Sequence, residues 1–192
     1  MRWGVFIVML LVGIVLDTSF MQVFAVGTVW PAIVPALVTF VALHATRPTA
    51  LWAAFLAGLL VDCTSPSIAF LDGVRPYQLI GPTALGFVLG AQLVLPLRSM
   101  VVRRNPLALG VLTILFVLAT MVVTTAIYSA RGWYAGTLPP WMPTGTAVRY
   151  MGTEALGAMS SGAIAVLIAI PLNRTLVILG LAGSAPWSPR RG

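Results

Sequence analysis

Charge is what this sequence has least of. Only 8% of its 192 residues are charged, lysine is absent altogether, and the acids number four: Asp17, Asp62, Asp72 and Glu154. With 59% hydrophobic residues and a mean hydropathy of +1.01, so little charge excludes a water-soluble globular domain. Cysteine is down to one, Cys63, and histidine to one, His44. That excludes an internal disulfide, a redox thiol pair and a zinc ligand set. Also missing are a Ser/His/Asp set, a P-loop, an HExxH helix and any soluble stretch on which to build one. The chain reads as an integral membrane protein that is not an enzyme and needs no cofactor or metal.

What is present is a series of apolar runs. A helix needs about 20 apolar residues, within a range of roughly 17–25, to cross the hydrocarbon, and six segments come near this: 3–26, 30–44, 49–62, 77–97, 106–129 and 147–171. The first is too long for a signal-peptide core and is read as a retained helix. The second and third are short, which suits little tilt, a thinned bilayer or partly re-entrant structure. The fold expected is all-α, a bundle of six transmembrane helices over residues 1–182. A disordered basic cytoplasmic tail follows at 183–192.

The eleven arginines give a net charge of +7 but are scattered between the apolar runs, which marks topology rather than a nucleic-acid patch. With six spans, Arg2, Arg47, Arg98, Arg103, Arg104, Arg174, Arg190 and Arg191 share one side, and Arg75, Arg131 and Arg149 the other. Both termini are therefore expected in the cytoplasm of a multi-pass plasma-membrane protein. Arg98, Arg103 and Arg104 form a cytoplasmic contact or an anchor for anionic membrane lipids.

This topology gathers the four acids on the extracytoplasmic half. An ionised group near the bilayer centre costs about 2.5–3.5 kcal/mol on insertion scales, so Asp17 and Glu154 are expected to face the bundle interior and meet arginines such as Arg149 or Arg75. Asp62, at the end of the helix over 49–62, reads in two ways: as a helix end at headgroup level, or as a partner-facing or paired acid. Small residues four apart, at Ala50, Ala54 and Gly58, at Gly86 and Gly90, and at Ala158 and Gly162, are the means by which helices approach closely in lipid.

The segments LDTSF (16–20), Pro31 at the opening of the second span, AGLLVDCTS (57–65), GPTALGFVLG (81–90) and the basic loop before the fifth span together resemble the bacterial rod shape-determining MreD family. The likeness covers residues 3–172 and is most specific at Gly58, Leu59 and Asp62; it departs from the family pattern in the insert at 66–77. The resemblance implies a non-enzymatic scaffold of the cell-elongation machinery in the bacterial plasma membrane. Such a scaffold binds MreC directly and, in the wider complex, MreB, RodA and a class B penicillin-binding protein, helping to organise lateral peptidoglycan synthesis. The Asp62 region and the Pro/Trp loop at 133–143 would then be docking surfaces. The alternative is the substrate-binding membrane component of an energy-coupling-factor vitamin transporter, in which Asp17, Asp62, Arg149 and Glu154 would line a ligand site.

Overall fold

The computed structural model describes residues 1–25, 31–64, 67–71, 76–101, 105–131, 133, 137–138 and 147–181. Six helices form among them: α1 (Trp3–Ser19), α2 (Val34–His44), α3 (Arg47–Thr64), α4 (Pro82–Leu97), α5 (Pro106–Arg131) and α6 (Ala147–Thr175). Two stretches, Pro106–Arg131 and Val148–Thr175, are long and apolar enough to cross a membrane, while Trp3–Ser19, Val34–His44 and Pro82–Leu97 are shorter apolar helices. The first helix stops at Ser19 and gives way to a 3-10 turn, Met21–Phe24. The apolar run to residue 26, interrupted at Asp17-Thr18-Ser19, predicts a longer helix; the helix stops at that interruption.

Prolines mark the helix starts. Pro35, Pro48, Pro82 and Pro106 all fall in a first turn, where the missing N–H costs no intrahelical bond. At α5 the Asn105 side chain accepts from the Leu107 N–H at 3.0 Å, capping the helix directly before its proline. At the other extreme, α6 ends in a tight turn. Gly180 takes a positive φ of 67° and the Leu181 N–H bonds back to the Leu176 carbonyl at 3.0 Å, a closure that favours glycine because it has no Cβ to clash.

At the centre lies α2. Its sequence, VPALVTFVALH, is apolar on every side, as expected of a helix enclosed by others, and all ten residues from Val34 to Leu43 are buried. At 11 residues it is only about 16 Å long. Helices α1, α3, α4, α5 and α6 all pack on it.

Around this centre the seams α3–α4, α4–α5 and α5–α6 are built on glycine. A Cβ placed on Gly58 would lie 2.5 Å from the Ala84 Cα, and one on Gly90 3.0 Å from the Phe116 carbonyl oxygen; one on Gly110 would lie 2.9 Å from the Gly162 carbonyl oxygen. The rows of small residues thus face inward, where backbone meets backbone. The outside is the reverse of a soluble protein's: Val8, Val15, Leu85, Val111, Leu156 and Leu167 are all exposed.

Three short strands were not anticipated. β1 (Ser67–Leu71), β2 (Pro76–Leu79) and β3 (Thr137–Leu138) form an antiparallel sheet in the order β2-β1-β3. The pairings run from Ser67 with Leu79 to Phe70 with Pro76, and join Phe70 to Leu138 and Leu71 to Thr137. The α3–α4 connection, which reads as turn-rich, is therefore a hairpin, and it is tied to the α5–α6 connection. At the opposite end the Arg2 N–H donates to the Leu179 carbonyl at 2.9 Å, so the start of α1 meets the chain that follows α6.

Candidate functional site

Helix α2 brings its unsatisfied backbone groups into the middle of an apolar bundle. A helix leaves its first N–H groups without intrahelical partners, and burial makes each such orphan costly. Here three of the leading donors are met from other helices. The Ala32 N–H donates to Ser161 Oγ on α6 at 3.0 Å; the Ile33 and Val34 N–H groups donate to the two carboxylate oxygens of Asp17 on α1, at 2.6 and 3.0 Å. Pro35 has no N–H to satisfy. At the far end the Arg98 guanidinium, carried just past α4, donates to the Ala45 carbonyl at 2.8 Å and the Ala42 carbonyl at 3.4 Å. An acid at the positive end of the helix dipole and a guanidinium at the negative end each have the favourable sign.

The same device recurs between α3 and α4. Asp62, fully buried in the last turn of α3, accepts from the Gly81 N–H at 2.8 Å and the Ala84 N–H at 3.3 Å through one oxygen. Pro82 again supplies a position without a donor. Gly81 stands at φ +125°, a conformation that side-chain-bearing residues resist. In both places a threonine of the same last turn bonds back to a carbonyl of its own helix: Thr18 to Ile14 and Thr64 to Leu60, each at 2.9 Å. The motifs LDTS and VDCTS are thus two copies of one arrangement, a helix whose final turn caps the next helix.

Glu154 is differently placed. It lies about 10 Å into α6, at a cavity of about 190 Å3 between α4, α5 and α6, lined by Thr83, Val117, Thr120, Met121, Thr124, Tyr128, Tyr150 and Glu154. The Tyr150 hydroxyl, one helical turn earlier, donates to the Glu154 carboxylate. Hydroxyls and one carboxylate make up the polar part of this lining, which contains no Lys, Arg or His.

The remaining sites of interest are spread over the molecule. Gly58 and Leu59 precede Asp62 on α3; Gly58 sits against the Thr83 carbonyl and Ala84 backbone of α4, and Leu59 is half-buried. Arg149 is exposed in the first turn of α6. Arg98 turns onto α2. Arg103, Arg104, Asp72, Arg75, most of the 133–143 loop and the tail at 183–192 lie outside the described residues. Among the described residues, Asp17 and Asp62 accept from the starts of two different helices, and Glu154 from a tyrosine. Among the described residues there is no group of three His, Cys, Asp or Glu side chains that could hold a metal. Ser161, Tyr128 and Tyr150 escape a reading of the sequence, because a hydroxyl in an apolar helix carries no positional signal. The Asp17 and Asp62 caps do leave one, an Asp-x-Thr/Ser turn followed by a proline-led helix.

No family model, curated protein or solved structure matches the chain.

Proposed function

We propose that this chain is a non-enzymatic scaffold of the MreD type, a six-span protein of the bacterial plasma membrane with both termini in the cytoplasm. On this reading it binds MreC and, through that contact, serves MreB, RodA and a class B penicillin-binding protein in organising lateral peptidoglycan synthesis. The observation that carries the reading is the paired cap. Asp17 and Asp62, the acids of two of the segments on which the MreD resemblance rests, both hold helix starts in place. Polar chemistry at these positions serves architecture. The apolar exterior of α1, α4, α5 and α6 supports a bundle solvated by lipid on all sides. The sheet supports a docking role for the outer connections, since β1–β3 pairing joins the segment after Asp62 to the 133–143 loop.

The vitamin-transporter reading draws on the Glu154 cavity. At about 190 Å3 that cavity is smaller than the roughly 300–1,000 Å3 that drug-sized ligands occupy, and Asp17 and Asp62 are engaged elsewhere. The scaffold is therefore favoured. Co-expression with MreC and purification in mild detergent is expected to yield a stable complex. Recovery of the chain without MreC but with a tightly bound vitamin would reverse the order of the two readings.

A further inference from the structure

Of the three acids among the described residues, Glu154 alone caps no helix. Its side chain is exposed near the start of α6, on the helix face it shares with Tyr150 and Ala158, and opens onto the cavity lined by Thr83, Thr120, Thr124, Tyr128 and Tyr150. In a membrane, a carboxylate about 10 Å from a helix start at a partly open cavity among apolar helices is costly, and pairing with a cation lowers that cost. The cavity lining supplies hydroxyls, which accept from N–H groups, and no positive charge. Its volume of about 190 Å3 corresponds to roughly six waters at about 30 Å3 each, the scale of one side-chain head group.

We propose that this cavity is a socket for a single Lys or Arg side chain presented by a transmembrane helix of a partner lying against α5 and α6. The charge is complementary, the depth is fixed by the position of Glu154 along α6, and the hydroxyls flank the carboxylate with acceptors for the donors that it does not take. The proposal rests on the reading of the chain as a membrane-embedded scaffold and names the chemistry of one of its contacts. Specificity arises from the charge: a purely apolar helix lying on the same face leaves Glu154 without a cation.

The test uses the full chain in lipid vesicles, labelled with a fluorophore at Cys63, its lone and exposed thiol. The probes are synthetic leucine/alanine transmembrane peptides carrying the acceptor dye and one Arg, Lys or Leu about 10 Å below the interface. Energy transfer is expected to show the Arg and Lys peptides pairing at least tenfold more tightly than the Leu peptide. Glu154→Gln is expected to abolish that difference and Tyr150→Phe to narrow it. Glu154→Asp, which keeps the charge, is expected to retain part of it and guards against a variant that merely fails to fold. Equal pairing of the Leu peptide, or a preference for Arg that survives Glu154→Gln, would overturn the socket. Failure to recover MreC would count against the scaffold reading while leaving the peptide preference in place, so the two outcomes are separable.

Discussion

A carboxylate deep in an apolar protein invites a functional reading, yet Asp17 and Asp62 each have a structural task that an apolar residue cannot perform. Removing the Asp62 side chain leaves the Gly81 and Ala84 N–H groups without their acceptor. A buried donor left unsatisfied costs about 1–3 kcal/mol, so Asp62→Ala should destabilise the protein by about 3 kcal/mol. Asp62→Asn, which keeps an acceptor oxygen, should lose about half as much. Asp17→Ala should fall between the two, since both of its bonds are shorter but the site is only half-buried. Unfolding in detergent followed by circular dichroism measures all three. Variants as stable as the parent would show that water or another group replaces the caps. Asp17 reads as lying within a longer helix over 3–26, whereas hydropathy alone places Asp62 at a helix end, and that much was legible in the sequence. The acceptor role was not, because it depends on backbone donors 16 and 19 residues away in the chain that only the folded arrangement brings close.

At the scale of helices, the contacts between neighbours are set by residues that have almost no side chain. Gly58 allows α3 to touch the backbone of α4, and any side chain there must push the two helices apart. Overpacking of this kind costs about 1–3 kcal/mol, so Gly58→Val should destabilise by about 2–3 kcal/mol. Gly152→Ala is the matched control: nothing lies within 4 Å of a Cβ at that position, and the change should be neutral or stabilise by about 0.5–1 kcal/mol through helix propensity. Thermal unfolding of the two variants side by side is the relevant measurement, and a Gly58→Val protein melting with the parent would show that the seam can shift without cost. The rows of small residues were readable from spacing alone, whereas the sheet was not. Its strands are two to five residues long, and the β1–β3 pairing joins segments nearly 70 residues apart, a distance over which local sequence patterns say nothing.

For the whole molecule, the arginine distribution and the even number of helices agree with the contact between Arg2 and Leu179, which brings the start of α1 and the end of α6 together. In the proposed membrane setting, reporter fusions after residue 181 and within 98–104 should be active in the cytoplasm. A fusion between β1 and β2 should be active outside it. Periplasmic activity at either of the first two positions would invert the orientation. The helix count and order were legible because each apolar run is bounded by proline, glycine or arginine. The role of the second run was less so: its shortness suggested little tilt, a thinned bilayer or a re-entrant path, and gave no sign that the other helices enclose it.

The enclosure of α2 bears on how the protein is made. In the proposed membrane setting, a segment of 11 residues is too short to partition stably into a bilayer on its own, and the groups that hold its ends lie before it and long after it in the chain. Asp17 is ready at once, Arg98 arrives some 50 residues later and Ser161 about 130 residues later. The middle of this protein therefore waits for its periphery, and its biogenesis finishes from the outside inward.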